Sequence, residues 1–258
     1  MRFSPCLARF AYPSHGCLNT PLIPIPPKSS DEGGWLHGKR VLAVLGEDFK
    51  KEHKELYQPK SASIVDVPEM IFIMVDGTGD PNVSEAYKTA MEILYGLSYA
   101  IKMSKKGGKV PVGYFDYVVP PLEGFWWIAD SMVTDFSKKE KYCWTSMIRQ
   151  PEFVTSDVFE DAKAVVSRKK PGLDLSVSRL TRITEGLCAQ IMHIGPYDEE
   201  PKTIELLDRF IAESGYQDDT SGTRCHHEIY LNNPLKTAPD KLKTVIRRPV
   251  KRIDPFGN

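Results

Sequence analysis

Neither sign of charge is in excess in this chain. Its 34 Lys+Arg equal its 34 Asp+Glu, so no long-range field gathers nucleic acid or an anionic membrane surface, and neither is expected as a partner. The basic clusters Arg168-Lys169-Lys170 and Arg247-Arg248 with Lys251-Arg252 are short and isolated, and read as solvated ends of helices or strands. No C-x-x-C pair occurs among Cys6, Cys17, Cys143, Cys188 and Cys225, an odd and widely spaced set that fits a reducing compartment, so a cytoplasmic location is expected. Cys225-His226-His227 does not make a metal site, because adjacent strand residues point to opposite faces and cannot close one tetrahedron. No metal and no cofactor is expected. No apolar run approaches the ~20 residues that a membrane span requires. Asp76-Gly77-Thr78-Gly79-Asp80 lacks the Gly-Lys-Ser/Thr ending of a phosphate loop and carries two acids, so it reads as a turn.

Acidic residues are also missing before Asp31, in a stretch that holds Pro5, Pro13, Pro21, Pro24, Pro26 and Pro27. Residues 1–46 are accordingly expected to be a disordered leader. Val41 to Leu45 is too short and too far from the N-terminus for an export signal.

What the chain does have is a dense aromatic wall. Pro120-Pro121-Leu122-Glu123-Gly124-Phe125-Trp126-Trp127 sets one carboxylate beside three large rings. Such rings stack on planar or cationic molecules, and a desolvated glutamate pairs with a cation or acts as a base. On a regular strand only one of Trp126 and Trp127 faces a ligand, unless a bulge at Gly124 changes the register. His226-His227-Glu228-Ile229-Tyr230 alternates like a second strand, placing His226, Glu228 and Tyr230 on one face. A mid-strand glutamate costs burial energy unless it is used or paired, which makes Glu228 the stronger site candidate. Glu123 has the simpler alternative of an ion pair at a strand start. His193 and His226 have the alternative of satisfied strand histidines, and Tyr95 and Tyr99 that of packing residues behind the sheet.

Periodicity organises residues 47–258 as an α+β domain of two similar units, about 60–130 and 175–250. The first starts with the strand Ile71–Val75 and continues into a helix capped by Asn82 with Glu85, whose stripe is Tyr87, Met91, Leu94, Ser98 and Ile101 and which ends at Gly107-Gly108. Strands at Tyr114–Val119 and Glu123–Ile128 complete it. The second has the strand Leu187–Ile194, the turn Gly195-Pro196-Tyr197-Asp198, and a helix with Pro201 in its first turn and Ile204, Leu207 and Ile211 inward. Strands His226–Leu231 and Leu242–Arg248 follow. Between the units lie a strand at Trp144–Ile148 and a helix from Ser156 with Thr155 as its cap. The expected architecture is duplicated β-α-β-β units forming a concave antiparallel sheet, helices on one face and the aromatic strands lining the other around a ligand.

These segments resemble the GyrI-like small-molecule-binding family, a fold shared with effector domains of multidrug-sensing activators. The resemblance rests on Asp48 to Glu52 with Glu55-Leu56-Tyr57, Val67-Pro68-Glu69-Met70 through Pro81, Pro121 to Trp127, His193 to Pro201, and His227 to Leu231. It implies an aromatic cleft that takes hydrophobic aromatic or cationic small molecules, with a buried glutamate at its base, by motif match Glu228. The Glu-Gly-aromatic-Trp-Trp segment is further similar to stand-alone proteins that hydrolyse the cyclopropane of DNA-alkylating compounds and so detoxify them. For that chemistry the expected catalytic residues are Glu228 or Glu123 to orient water and Tyr197 or Tyr230 to donate to the developing oxyanion, with Phe125, Trp126, Trp127, Tyr230 and His226 against the ligand. The alternatives are a non-catalytic drug-binding or sensing module and a gyrase-interacting protein. A homodimer is compatible with either.

Overall fold

A computed structural model of the protein describes residues 46–108, 110–128 and 139–254; the expected leader, 1–46, lies outside these apart from Gly46. The elements in chain order are α1 (Phe49–Glu52), α2 (Lys54–Tyr57), β1 (Ser63–Thr78), α3 (Glu85–Lys102), β2 (Leu122–Ile128), β3 (Tyr142–Gln150), α4 (Ser156–Lys169), β4 (Ser178–Ile194), α5 (Glu200–Glu213), β5 (Tyr216–Asp218), β6 (His226–Tyr230) and β7 (Lys243–Arg252). The protein is α+β.

Local signals account for the long helices. Ser84 caps α3 by accepting from Tyr87 N at 3.3 Å. The expected cap, Asn82, instead donates to the side chain of Asp80, two residues earlier. Ala90, Ile93, Leu94, Leu97 and Ile101 then bury one stripe of α3, which ends at Lys102 before the glycine pair. Thr155 caps α4 through Val158 N, with Phe159, Ala162 and Val166 inward. Pro201 sits in the first turn of α5, Ile204, Leu207 and Ile211 are buried, and Gly215 closes the end at φ +77°. Tyr95 and Tyr99 stack on each other at 6.4 Å on the outer side of α3, 39% and 51% exposed, and so are not packed behind the sheet.

The strands run in the order β4-β1-β3-β2-β6-β7, all antiparallel, and β7 pairs back onto β4. The expected concave antiparallel sheet is thus curled into a closed six-stranded barrel. The length of β1 and β4, 16 and 17 residues, makes closure possible. The body of β4 pairs with β1 and its end with β7, so that Gln190 stands opposite both Ser63 and Arg247.

Closure decides what each face does. Ala189 and Ile246 meet Ile204, Leu207 and Ile211 of α5, and on the same face of the sheet Gln150 donates to Ser98 of α3 at 3.0 Å. The helix-free face, expected to hold the ligand, turns inward and is filled by Met147, Ile229 and Val245, each fully buried. The expected strand at Tyr114–Val119 does not form; only Tyr117 bridges, to Glu47. Pro120 and Pro121 cannot extend a ladder. The rings of Tyr114, Phe115 and Tyr117 instead cluster on Phe153 at 5.2 to 6.0 Å.

Candidate functional site

Alternation along β6 places His226, Glu228 and Tyr230 together on the helix-bearing face. Glu228 is 7% exposed. Its Oε1 stands 3.0 Å from His226 Nε2, and its Oε2 accepts from the Tyr230 hydroxyl at 2.6 Å. That hydroxyl accepts in turn from Trp126 Nε1 at 2.9 Å. Gly124 lies directly opposite Glu228 on β2, and Trp126 opposite His226. The strand is regular at Gly124, so Trp126 faces this site and Trp127 does not.

Two further elements wall the carboxylate. From α3, the Tyr87 ring lies 6.2 Å from Trp126 and edge-on to Trp144 at 5.0 Å. From the turn before α5, Tyr197 meets Tyr230 edge-on at 5.9 Å while remaining 37% exposed. Burial, and then the charge of Glu228, push Tyr230 well above the usual phenol range. Burial raises Tyr87 strongly too, against the opposing effect of Ser146. Tyr197 is pushed up to about 12 by burial and then by Glu200 and Glu228. All three are neutral phenols at physiological pH, able to donate hydrogen bonds but not to act as bases.

Glu200, to which the sequence reading gave no role, also belongs to this site. It opens α5, is 4% exposed, and its Oε1 has no hydrogen-bond partner. Its pKa is pushed up to about 10, by burial first and the charge of Glu228 second, with Thr244 opposing. The signal was present in the sequence: Glu200 heads the stripe Ile204, Leu207, Ile211, an acid where an apolar residue belongs.

Glu123, Phe125 and Trp127 are not part of the Glu228 site. They point into the barrel, where Glu123 is 1% exposed and joins a chain of buried polar groups. Tyr57 donates to Glu123 Oε1 at 3.3 Å, and His227 Nε2 stands 3.1 Å from Glu123 Oε2, close but not aligned for a hydrogen bond. His227 Nδ1 lies 3.0 Å from Glu185 Oε2, Arg247 reaches Glu185 Oε1 at 2.7 Å and Gln190 at 3.1 and 3.2 Å, and it donates to Leu56 O at 3.0 Å. Burial would lower His227, but the carboxylates of Glu185 and Glu123 raise it above its usual value. Burial would raise Glu185, but His227 and Arg247 draw it down to about 2. This network ties α2 to the barrel floor. His193, as anticipated, is satisfied, by Thr203 Oγ1 at 2.8 Å and Pro196 O at 3.0 Å.

Among the described residues no group of three or more His, Cys, Asp or Glu side chains is placed to hold a metal ion, and no helix is long and apolar enough to cross a membrane.

A family profile for the GyrI-like small molecule binding domain matches residues 61–251. A solved structure described as a hydrolase from Listeria innocua is similar at 47% identity, covering 80% of this chain and 100% of that one with a TM-score of 0.73. Another, described as an uncharacterized conserved protein from Listeria innocua, is similar at 48% identity with the same coverage and a TM-score of 0.76. No curated protein matches the chain. With the profile spanning most of the barrel and both helices that wall the Glu228 site, the chain belongs to the GyrI-like small-molecule-binding domain family.

Proposed function

We propose that the protein binds bulky aromatic or cationic small molecules against Trp126, Tyr87, Tyr197 and Tyr230, and hydrolyses the strained cyclopropane of DNA-alkylating cyclopropanoid compounds, so detoxifying them. The observation that carries this reading is Glu228, a carboxylate buried among aromatic rings and held on both oxygens by Tyr230 and His226. Ligand planes stack on the rings. Glu228 orients a water and takes its proton as the water attacks the cyclopropane carbon, and the Tyr197 hydroxyl donates to the carbonyl oxygen on which charge develops. Tyr230, whose proton is committed to Glu228, positions the base. The hydrolase description of the Listeria innocua relative at 47% identity supports hydrolysis as the reaction class.

The same cleft also supports a second reading, a sink for cationic drugs, because a buried carboxylate ringed by aromatics suits a cation whether or not a reaction follows. Incubation with a spirocyclopropyl-dienone alkylator, followed by mass spectrometry, separates them. Accumulation of the water adduct, lost in Glu228→Gln, is the expected result; saturable binding with no adduct at any time would falsify hydrolysis for this substrate class.

The succession β1-α3-β2-β3, with β3 in place of the strand expected at Tyr114–Val119, and β4-α5-β6-β7, with the short β5 inserted after α5, supports a duplicated unit within one domain over residues 47–258, with the site formed where the halves meet at β2 and β6.

A further inference from the structure

We infer that Glu200 is the general acid of this site, a second carboxyl group that holds a proton beside Glu228 and hands it to the ligand oxygen. The inference deepens the hydrolytic reading and rests on it.

Its basis is geometric. Glu200 is 4% exposed, and Oε1 is shut away from water with no hydrogen-bond partner. An ionised carboxylate left so would be costly, whereas a protonated one carries a donor waiting for an acceptor. Among the described residues no cation acts on it directly: the groups that do are Glu228 of β6, Thr244 of β7 and Asp198 of the preceding turn, with the Tyr197 and Tyr230 phenols within electrostatic reach. Two carboxyl groups in one apolar cleft divide into a base and an acid, since both cannot ionise without mutual repulsion. Burial and Glu228 raise Glu200 far above the usual carboxylate range, so it keeps its proton at neutral pH. Tyr197, held up to about 12, keeps its proton too tightly to yield it to a nascent phenolate and serves as a hydrogen-bond donor only.

The step balances without a cofactor. Water oxygen bonds to the cyclopropane carbon, the strained C–C bond breaks, and its electron pair aromatises the dienone ring and leaves charge on the carbonyl oxygen. Glu228 takes the proton from water and Glu200 gives its proton to that oxygen, forming a phenol. Transfer of a proton from Glu228 back to Glu200 restores the site, with one water added overall.

The test compares wild type, Glu200→Gln and Glu228→Gln on a spirocyclopropyl-dienone probe, alongside infrared difference spectra of the ligand-free proteins. Glutamine keeps the shape and a hydrogen-bond donor but has no proton to transfer. Glu200→Gln is expected to lower kcat by on the order of 10²-fold with KM nearly unchanged, and to abolish a protonated-carboxyl C=O band that wild type shows at neutral pH. It is also expected to remove the alkaline limb of the wild-type pH–rate profile. Turnover untouched by Glu200→Gln, or no protonated-carboxyl band assignable to Glu200, would overturn the acid while leaving the hydrolase reading standing. Absence of turnover in wild type would sink both.

Discussion

The indole of Trp126 runs along its own strand, across Gly124, to donate to the Tyr230 hydroxyl at 2.9 Å. On the ladder Trp126 faces His226 and Tyr230 faces Leu122, so the bond spans a diagonal that only a large side chain can cover. The space exists because position 124 has no side chain: a Cβ there would lie 2.8 Å from Trp126 Nε1 and 3.3 Å from Cε2.

Gly124→Ala is therefore expected to swing the indole off Tyr230 while the strand persists, since the obstructed group is a side chain. Indole fluorescence will shift, and affinity for a planar aromatic probe will fall by about tenfold or more, the scale of losing ~1.4 kcal/mol of contact. Unaltered affinity with an unaltered emission spectrum would show that the Trp126 to Tyr230 bond does not shape the cleft.

Tyr230→Phe removes the donor that holds Glu228 Oε2 and leaves the ring. Its expected signature is a fall in kcat of about 10-fold or more with aromatic binding retained, as suits loss of a hydrogen bond to a charged group worth ~1.5–3 kcal/mol. An equal fall in binding and turnover would instead mark Tyr230 as a simple contact residue.

The two carboxylates of the neighbouring strands separate by what they damage. Glu123→Gln takes from Tyr57 its charged acceptor and leaves His227 with Glu185 alone inside the barrel, and should cost about 2 kcal/mol or more, several degrees in Tm for a domain of this size. Glu228→Gln, in the cleft, should abolish turnover with a smaller change in Tm. Thermal unfolding and product formation measured on the same preparations decide whether this division holds.

Stability against pH tests Glu200 independently of any ligand. Its pKa rises from 4.5 to about 10 on folding, so between those values the folded chain binds a proton that the unfolded chain lacks, and stability falls as pH rises, by at most ~1.4 kcal/mol per unit. His227, also raised, stabilises fully below its ordinary value of 6.5 and loses its contribution only as pH climbs through its higher folded value. Glu185, lowered to about 2, acts oppositely: its contribution is present above 4.5 and fades as pH drops towards 2. Glu200→Gln should thus flatten urea-derived stability between pH 4.5 and 6.5 and leave the slope above 6.5 that belongs to His227. Parallel curves for wild type and variant across that lower window would mean that Glu200 ionises normally.

Gly77 of β1 lies against the ring of Trp144, fully buried, and a Cβ at that position would overlap its six-membered ring. Gly77→Ala is expected to destabilise by about 1–3 kcal/mol through overpacking and to disturb Tyr87, which packs edge-on to the same indole. A Tm within a degree of wild type would contradict the packing described.

Much of this protein was written locally. Thr155, Pro201 and Gly215 mark helix ends by their own backbone chemistry, and the two-residue period of β6 set Glu228, His226 and Tyr230 on one face whatever lay around them. The candidate base was legible for that reason. The choice between Trp126 and Trp127 was not, because both are large and apolar and both are buried; it depends on which partner residues stand opposite them on β3 and β6. The same holds for Glu123, whose alternation was clear but whose destination was set by β7 closing onto β4, a pairing between strands some fifty residues apart that turned the helix-free face into a sealed interior. Glu200 shows the limit most plainly. Its acid stands in the apolar stripe of α5 for anyone to read, but only the docking of that helix over Thr244 and beside Glu228 removes its water and makes it a proton donor, because desolvation and charge repulsion depend on neighbours that the fold, not the chain order, brings together.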